Sequence, residues 1–213
     1  MRPKIVKFCG ITRPADAQMC VNLGADALGF IFHPQSPRNL SVPEFQNLVE
    51  KIDFQNCAKV GVAVDPDLPL IKSLLGAGIE KFQFHFASEI PIAKIVEWSD
   101  LVGRENLWLA PRLKPEEDLP DGLLDCADVF LVDTYAKDVY GGTGQQSDWG
   151  KFTGFKKQYG KHQWILAGGL GPDNLRSAIS STLPDGIDLN SGVEFLPGKK
   201  DADKIKEVFS ILS

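Results

Sequence analysis

The sequence predicts an α/β fold, a single (β/α)₈ barrel, on three observations. Short apolar runs alternate with helical stretches about eight times within 213 residues, which is close to the lower size limit of such barrels. Several runs are apolar at consecutive positions, as in parallel strands that are buried on both faces. An open doubly wound sheet favours a GxGxxG turn after its first strand, and Gly10-Ile11-Thr12 does not match that pattern.

The composition argues against several classes of protein. Hydrophobic residues make up 43% of the chain and the net charge is −5, which is typical of a globular protein with an apolar core. Lysines and arginines are scattered, so we expect no nucleic-acid partner. No apolar run approaches the roughly 20 residues of a membrane span, so we expect no membrane partner. No linker divides the chain, and we expect one domain over residues 1–213.

The N-terminus and the cysteines indicate a cytoplasmic protein. Arg2, Lys4 and Lys7 interrupt the apolar stretch that a signal peptide requires, and thiols stay reduced in the cytosol. The cysteines show neither CxxC nor CxxH spacing, so neither a metal site nor a disulfide framework is indicated. A monomer and a homodimer both remain open as oligomeric states.

The first half of the chain is predicted to contain four strand–helix units. The strands are expected at residues 4–9, 25–32, 58–64 and 79–84, and the helices at 14–23, from 42 onward, at 68–75 and at 89–98. In the first helix, Ala15, Met19 and Leu23 lie four apart on one face. Ser41 and Glu44 form a capping-box pattern at the start of the second helix.

The second half is predicted to supply four more strands. They are expected at residues 106–110, 128–132, 163–167 and 186–189, with helices at 151–159, 172–180 and 201–212. Residues 111–122 are proline-rich and acidic, which predicts a loop with at most a fragment of helix. A long loop holds Gly141-Gly142-Thr143-Gly144; it is either a lid that closes over a substrate or simply flexible.

Polar residues that follow the predicted strands indicate a single pocket. The carboxyl ends of barrel strands open on one mouth, so loops that are distant in sequence converge there. The polar residues at these ends are Cys9, His33, Arg38, Asp65, His85, Asp133, Asp188, Asn190 and Ser191.

The loops after the seventh and eighth strands predict a phosphate site. Gly168, Gly169 and the Ser191-Gly192 pair occupy these loops, which form the usual phosphate cradle of such barrels together with a helix N-terminus. Glycines let backbone N–H groups approach an anion closely. The alternative is that these glycines only end helices or form tight turns.

Cys9 and Asp133 are the candidate base and acid. They fall on the first and sixth strands, on opposed sides of the mouth, which suits a reaction that donates a proton at one atom and removes one at another. A cysteine base acts as thiolate, so we expect the pKa of Cys9 to fall from about 8.5 toward neutrality. The pKa of Asp133 should instead be raised. The alternatives are a small buried hydrophobe for Cys9 and a turn or cap for Asp133.

Arg38 and His85 are candidate substrate ligands. Arg38 follows Pro34 and Pro37 on a polar loop, and its guanidinium suits a bidentate bond to a carboxylate. A surface arginine is the alternative. His85 is interpreted as a proton shuttle, a hydrogen-bond partner of the substrate or a half-buried structural histidine.

The opening Lys7-Phe8-Cys9-Gly10-Ile11-Thr12 resembles the signature of the phosphoribosylanthranilate isomerase family. Further matching segments follow in order to the end of the chain. They include Gly29-Phe30-Ile31-Phe32, Ser36-Pro37-Arg38, Leu131-Val132-Asp133-Thr134, Gly141-Gly142-Thr143-Gly144, Leu166-Ala167-Gly168-Gly169-Leu170 and Ser191-Gly192-Val193-Glu194.

The resemblance implies a ribulose-phosphate-binding barrel of tryptophan biosynthesis. It implies conversion of N-(5-phosphoribosyl)anthranilate to the 1-deoxyribulose phosphate product by an Amadori rearrangement, without metal or redox cofactor. Cys9 would be the general base, Asp133 the general acid, and Arg38 the ligand of the anthranilate carboxylate. The other substrate-binding residues would be His85, Gly168, Gly169, Asp188, Asn190, Ser191 and Gly192.

The chain departs from the family pattern at three places. Phe86 stands where a glycine usually follows the histidine, and we expect it to narrow that loop beside His85. Asn190 stands where a serine is more usual. The segment that includes Arg112 also differs, and Arg112 is given no role.

Two alternative functions are open from the sequence. A metal-dependent phosphosugar epimerase on the same barrel would use His33, His85, Asp133 and Asp188 as ligands. A non-catalytic barrel would bind a phosphorylated metabolite without reaction.

Overall fold

The computed structural model describes residues 2–114, 117–132 and 149–213. Eight parallel strands close into a barrel in chain order, with the last strand paired to the first, which confirms the predicted fold class. The strands are β1 (Ile5–Phe8), β2 (Ala27–Ile31), β3 (Ala58–Val64), β4 (Lys81–Ala87), β5 (Leu107–Arg112), β6 (Val129–Val132), β7 (Gln163–Leu166) and β8 (Gly186–Leu189).

Helices follow the strands and cover the outside of the barrel. They are α1 (Pro14–Leu23), α2 (Val42–Val49), α3 (Leu68–Gly76), α4 (Ile92–Val102), α5 (Leu123–Cys126), α6 (Trp149–Gln158), α7 (Pro172–Thr182) and α8 (Ala202–Leu212). The capping box predicted for α2 is present, because the Ser41 side chain accepts from the backbone N–H of Glu44 and the Glu44 carboxylate accepts from that of Ser41. Within the described residues, no helix is long and apolar enough to cross a membrane.

The apolar residues form two layers on either side of the strands. The larger layer lies between the strands and the helices, and a smaller one fills the barrel interior. Side chains alternate between these layers along each strand. Trp108 and Val129 belong to the interior layer, whereas Leu107 and Phe130, their neighbours in sequence, pack outward.

Strand β4 differs from its predicted limits and shows this alternation most clearly. It runs to Ala87, so His85 lies within the strand rather than after it. The rings of Phe84 and Phe86 both pack on Trp98 of α4, with centroids 5.2 and 5.8 Å away. The expectation that Phe86 narrows the loop beside His85 is therefore wrong, since its ring packs outward on Trp98.

A short hairpin after β8 was not predicted. A 3₁₀ turn over Ser191–Val193 leads into β9 (Glu194–Leu196) and β10 (Lys199–Lys200), which pair antiparallel. Glu194 and Lys200 are buried, whereas Phe195 and Leu196 are 61% and 50% exposed. The hairpin therefore carries two buried charged groups to the mouth of the barrel.

Replacing Phe84 with alanine tests the outer layer. The ring is fully buried against Trp98, so its loss should lower the free energy of unfolding by about 3–5 kcal/mol, as is usual for buried phenylalanines. The measurement is urea-induced unfolding.

The matched control is Val96→Ala, because Val96 lies on α4 but is 42% exposed. It should change the free energy of unfolding by less than about 0.5 kcal/mol. Equal losses in the two variants would contradict the assignment of Phe84 to the packed layer between strand and helix.

Candidate active site

A cleft of about 670 Å³, including space open to solvent, lies at the carboxyl ends of the strands. It brings together most of the residues predicted from the sequence. Among its lining residues are Cys9, Arg38, His85, Gly168, Gly169, Asp188, Asn190 and Ser191. Asp133 follows the last residue of β6 in the sequence but lies outside the described residues, as does the predicted lid loop around Gly141 and Gly144.

Cys9 lies at the end of β1 beside a buried ion pair. Nζ of Lys7 donates to Oδ2 of Asp188 at 2.7 Å, and the lysine side chain is fully buried. Burial raises the pKa of the Cys9 thiol, Lys7 counteracts this rise, and Asp188 adds to it. The expected fall of the Cys9 pKa toward neutrality is therefore not found, because the desolvation of a thiolate outweighs the effect of the nearby ammonium.

Gly29 of β2 makes room for this group. A β-carbon at Gly29 would lie 2.8 Å from Sγ of Cys9 and 3.0 Å from Cε of Lys7. Both contacts are too short for a real side chain, so the neighbouring strand must lack one at this position. The glycine therefore lets the thiol and the lysine stem lie next to each other inside the barrel.

Arg38 is buried and already holds a carboxylate of the protein. Its Nε donates to Oε1 of Glu194 at 2.9 Å, and its Nη2 donates to Oε2 of Glu194 at 2.5 Å. Because one edge of the guanidinium is used in this way, a substrate carboxylate would meet the remaining edge formed by Nη1 and Nη2. Glu194 thus fixes the orientation of Arg38 at the wall of the cleft.

Lys200 extends the same network. Its Nζ donates to Oε1 of Glu194 at 3.0 Å and to Oδ1 of Asn190 at 3.1 Å. Burial lowers the pKa of Lys200, against the opposing effect of Glu194. Burial alone would raise the pKa of Glu194, but the hydrogen bond from Arg38 and the charge of Lys200 lower it overall. Glu194 therefore stays ionised between two cations.

The glycines after β7 form one end of the cleft. Gly168 and Gly169 have φ values of +91° and +62°, which residues with a side chain adopt only with strain. Oγ of Ser191 is buried without a hydrogen-bond partner among the described residues. This hydroxyl and the glycine backbone at the start of α7 suit an anion.

Gly192 does not line the cleft, but it allows the two loops at this end of the cleft to pack closely. A β-carbon there would lie 2.1 Å from the carbonyl oxygen of Leu170, so the chain after β8 can approach the chain after β7 only with glycine at this position. The close approach of these two loops is what builds the predicted anion site.

His85 lies inside the barrel next to Gln83. The Gln83 amide donates to Nε2 of His85 over 2.8 Å, which requires a neutral ring. Burial, with further contributions from Lys7 and His33, lowers the pKa of His85 to about 3. The ring is therefore neutral at physiological pH and acts as a hydrogen-bonding group rather than as a cation.

Comparison with known proteins shows the family of this chain. Residues 6–210 match the family model described as N-(5'phosphoribosyl)anthranilate (PRA) isomerase. The chain belongs to this family.

Named PRA isomerases match nearly the whole chain. The enzyme of Synechococcus elongatus is 34% identical over 98% of this chain and 95% of its own. The crystal structure of the Thermotoga maritima enzyme has a TM-score of 0.82 at 30% identity, over 98% of both chains. Another PRA isomerase structure, with a TM-score of 0.78 and 29% identity over 98% of this chain and 97% of its own, is a complex with reduced 1-(o-carboxyphenylamino)-1-deoxyribulose 5-phosphate.

The ligands that a metal-dependent epimerase would use include Asp133, which lies outside the described residues. Across the described ranges, no group of three or more His, Cys, Asp or Glu side chains is placed so that it could hold a metal ion.

Sequence reasoning missed four polar residues around the cleft of this PRA isomerase family member. They are Lys7, Gln83, Glu194 and Lys200. Alternation along the strands could have indicated two of them, since Lys7 lies two residues before Cys9 and Gln83 two residues before His85. The other two belong to the hairpin, and no local pattern showed that it folds back to the mouth.

Replacing Glu194 with glutamine should loosen Arg38. The loss of a charge-assisted bond to a buried guanidinium is worth about 1.5–3 kcal/mol, so we expect the KM for N-(5'-phosphoribosyl)anthranilate to rise by about tenfold or more. The kcat should change by less than about threefold. Steady-state kinetics on correctly folded protein measure both constants.

Glu80→Gln provides the control for this change. Glu80 pairs with Lys59 and its side chain is 51% exposed, so its removal should leave both constants unchanged. An unaltered KM in Glu194→Gln would show that Glu194 does not orient Arg38.

The neutral His85 predicts a dependence of stability on pH. Its pKa of about 3 in the folded protein lies below the value of about 6.5 in an unfolded chain. Between these values the unfolded chain binds a proton that the folded protein does not, so the free energy of unfolding falls as the pH falls. His85→Gln should lose less stability than the wild type between pH 7 and pH 4.5, measured by urea unfolding.

Ser180→Ala is the control, because Ser180 lies exposed on α7 and its hydroxyl donates only to the backbone of its own helix at Ser177. It should follow the wild-type dependence on pH. Identical losses in His85→Gln and the wild type would contradict the assignment of a neutral buried ring.

Proposed function

We propose that the chain catalyses the isomerisation of N-(5'-phosphoribosyl)anthranilate in tryptophan biosynthesis, with Cys9 as general base and Asp133 as general acid. The observation that carries the proposal is the meeting of three groups in one cleft: the Cys9 thiol, the Arg38 guanidinium and the glycine-lined end near Gly168. Membership of the PRA isomerase family supports the same reaction.

The two ends of the cleft fit the two charged ends of this substrate. A phosphoribosyl anthranilate carries a carboxylate on its aromatic ring and a phosphate on its sugar, as does the reduced product analogue bound to the relative. In the proposed orientation, the carboxylate meets the open edge of Arg38 and the phosphate lies at Gly168, Gly169 and Ser191. The sugar then lies between them, next to Cys9.

The first chemical step opens the sugar ring. Asp133 donates a proton to the furanose oxygen, the bond from that oxygen to C1 breaks, and the anthranilate nitrogen supplies the electron pair that forms a Schiff base. Asp133 is assigned to this step from the sequence motif, and it follows β6, which lies across the barrel from β1.

The second step moves a proton from C2 of the open-chain sugar. The Cys9 thiolate takes that proton, and the electron pair of the C–H bond forms a C1–C2 double bond while the iminium nitrogen becomes neutral. The resulting enolamine gains a proton at C1 and loses one from its hydroxyl, which gives the ketone. The iminium accepts the electrons, so these residues can perform the reaction by acid–base chemistry.

The remaining parts of the proposal concern the state of the protein. The whole chain acts as one barrel domain, in the cytoplasm, where Cys9 stays reduced. It works as a monomer or a homodimer, and the Thermotoga maritima relative is described as a dimeric enzyme from which monomers were generated.

Activity should persist in EDTA, which separates this reaction from that of a metal-dependent epimerase.

Complementation of a tryptophan auxotroph that lacks this step tests the proposal. The wild type should restore growth, whereas Cys9→Ala and Asp133→Asn should not. In vitro, the loss of a general base should lower kcat by at least about 10²-fold. Kinetic assays of the purified variants give these values.

Cys126→Ala is the matched control, since Cys126 is also buried but lies in α5 outside the cleft. It should restore growth like the wild type. Full growth with Cys9→Ala would refute the assignment of Cys9 as general base. Failure of the wild type would refute the proposed reaction and favour the non-catalytic binding protein.

A further inference from the structure

We propose that Lys7 is a positioning residue that holds the thiolate form of Cys9, and that Asp188 fixes the Lys7 ammonium for this purpose. The inference rests on the proposed role of Cys9 as general base. It adds a residue that the acid–base mechanism above does not use, and Lys7 itself neither donates nor accepts a proton in the reaction.

The register of the barrel brings these three residues together. Lys7 lies on β1 and Cys9 follows the end of this strand, two positions after Lys7, so both side chains point into the interior. In the pairing of β1 with β8, Lys7 is the direct partner of Asp188, and their side chains form the 2.7 Å ion pair. A β-carbon at Gly29 would contact both Sγ of Cys9 and Cε of Lys7, at 2.8 and 3.0 Å. The thiol and the lysine therefore occupy adjacent space.

A charged residue at this position is unexpected on packing grounds. The interior layer around it consists mainly of apolar side chains such as Val60, Val62 and Ile165, and a buried ion pair is seldom more stable than apolar residues of similar volume. Oδ1 of Asp188 is also buried without a hydrogen-bond partner among the described residues. Packing alone therefore does not explain why the Lys7–Asp188 ion pair, whose burial costs desolvation free energy, lies next to the thiol.

The other charged groups near Cys9 do not replace Lys7. Asp188 of β8 opposes the thiolate, and Lys200 of β10 favours it with a smaller effect than Lys7. The His85 ring of β4 is neutral, and the Arg38 guanidinium is bound to the carboxylate of Glu194. Lys7 is therefore the strongest counterion of the thiolate among the groups that the structure describes.

The rate of alkylation of Cys9 by iodoacetamide tests the inference without substrate. The rate is measured over a range of pH on the whole protein, and the modified residue is identified by peptide mass spectrometry. Lys7→Gln removes the charge but keeps a group that donates a hydrogen bond to Asp188. We expect the midpoint of the alkylation curve to rise by about one pH unit or more, which is the usual effect of an opposite charge at this range.

Kinetics give a second readout. In Lys7→Gln the ascending limb of the kcat/KM profile should move to higher pH, by a shift similar to that of alkylation. At pH values below the ascending limb, kcat should fall by about tenfold or more, because a rise of one unit in the pKa of Cys9 leaves about tenfold less thiolate. A merely structural role for Lys7 would lower the amount of folded protein but leave both midpoints unchanged.

Two further variants control the experiment. Lys81→Gln removes another lysine of a barrel strand, one that binds Asn106 at the opposite end of the barrel, and it should leave the alkylation midpoint unchanged. Lys7→Met with Asp188→Asn removes both charges, so no unpaired charge is left buried. Its alkylation midpoint should still exceed that of the wild type, because Lys7 affects Cys9 more strongly than Asp188 does.

The outcomes separate this inference from the proposed function. An unchanged alkylation midpoint in Lys7→Gln, or in the double variant if the single variant does not fold, would overturn the role of Lys7. Absence of isomerase activity in the wild type would instead refute the proposed function. A raised alkylation midpoint supports the effect of Lys7 on the thiol in either case.

Discussion

The seam between β1 and β8 is the constraint on which the rest of the site depends. The barrel closes there through a parallel pairing that sets Lys7 directly opposite Asp188. These residues lie 181 positions apart in the chain, and an open sheet would leave them on opposite edges. Closure therefore creates a buried ion pair in the interior, immediately below Cys9. It also sets the loops after the first and last strands side by side.

The mouth of the barrel is locally basic although the chain as a whole is acidic. Lys7, Arg38 and Lys200 face the carboxylates of Asp188 and Glu194, whereas the whole chain has a net charge of −5. Three cations against two anions leave a positive excess within the described part of the site. Such a concave surface with an excess of positive charge attracts anionic ligands. A substrate with an anion at each end fits this arrangement better than a neutral sugar does.

Patterns within the sequence predicted the barrel well but failed at β4 and at the hairpin. The prediction ended β4 at Phe84, before His85, whereas the strand runs to Ala87. Gln83 and His85 point inward, and Phe84 between them points outward. Inward polar residues at the carboxyl end of a strand break the apolar pattern where function needs them. The hairpin was missed because Glu194 and Lys200 resemble exposed charges until their buried partners are known.

The sequence by itself determined the order of the strand–helix units, the capping of α2 and the placement of Cys9, Arg38 and the glycine loops at one mouth. These features depend on periodicity and on backbone preferences of neighbouring residues, which the chain encodes locally. The tertiary structure alone decided which edge of Arg38 stays open, why Gly192 must lack a side chain, and the direction of the Cys9 pKa. Those properties arise from desolvation and from contacts between distant positions, such as Arg38 and Glu194, which are 156 residues apart.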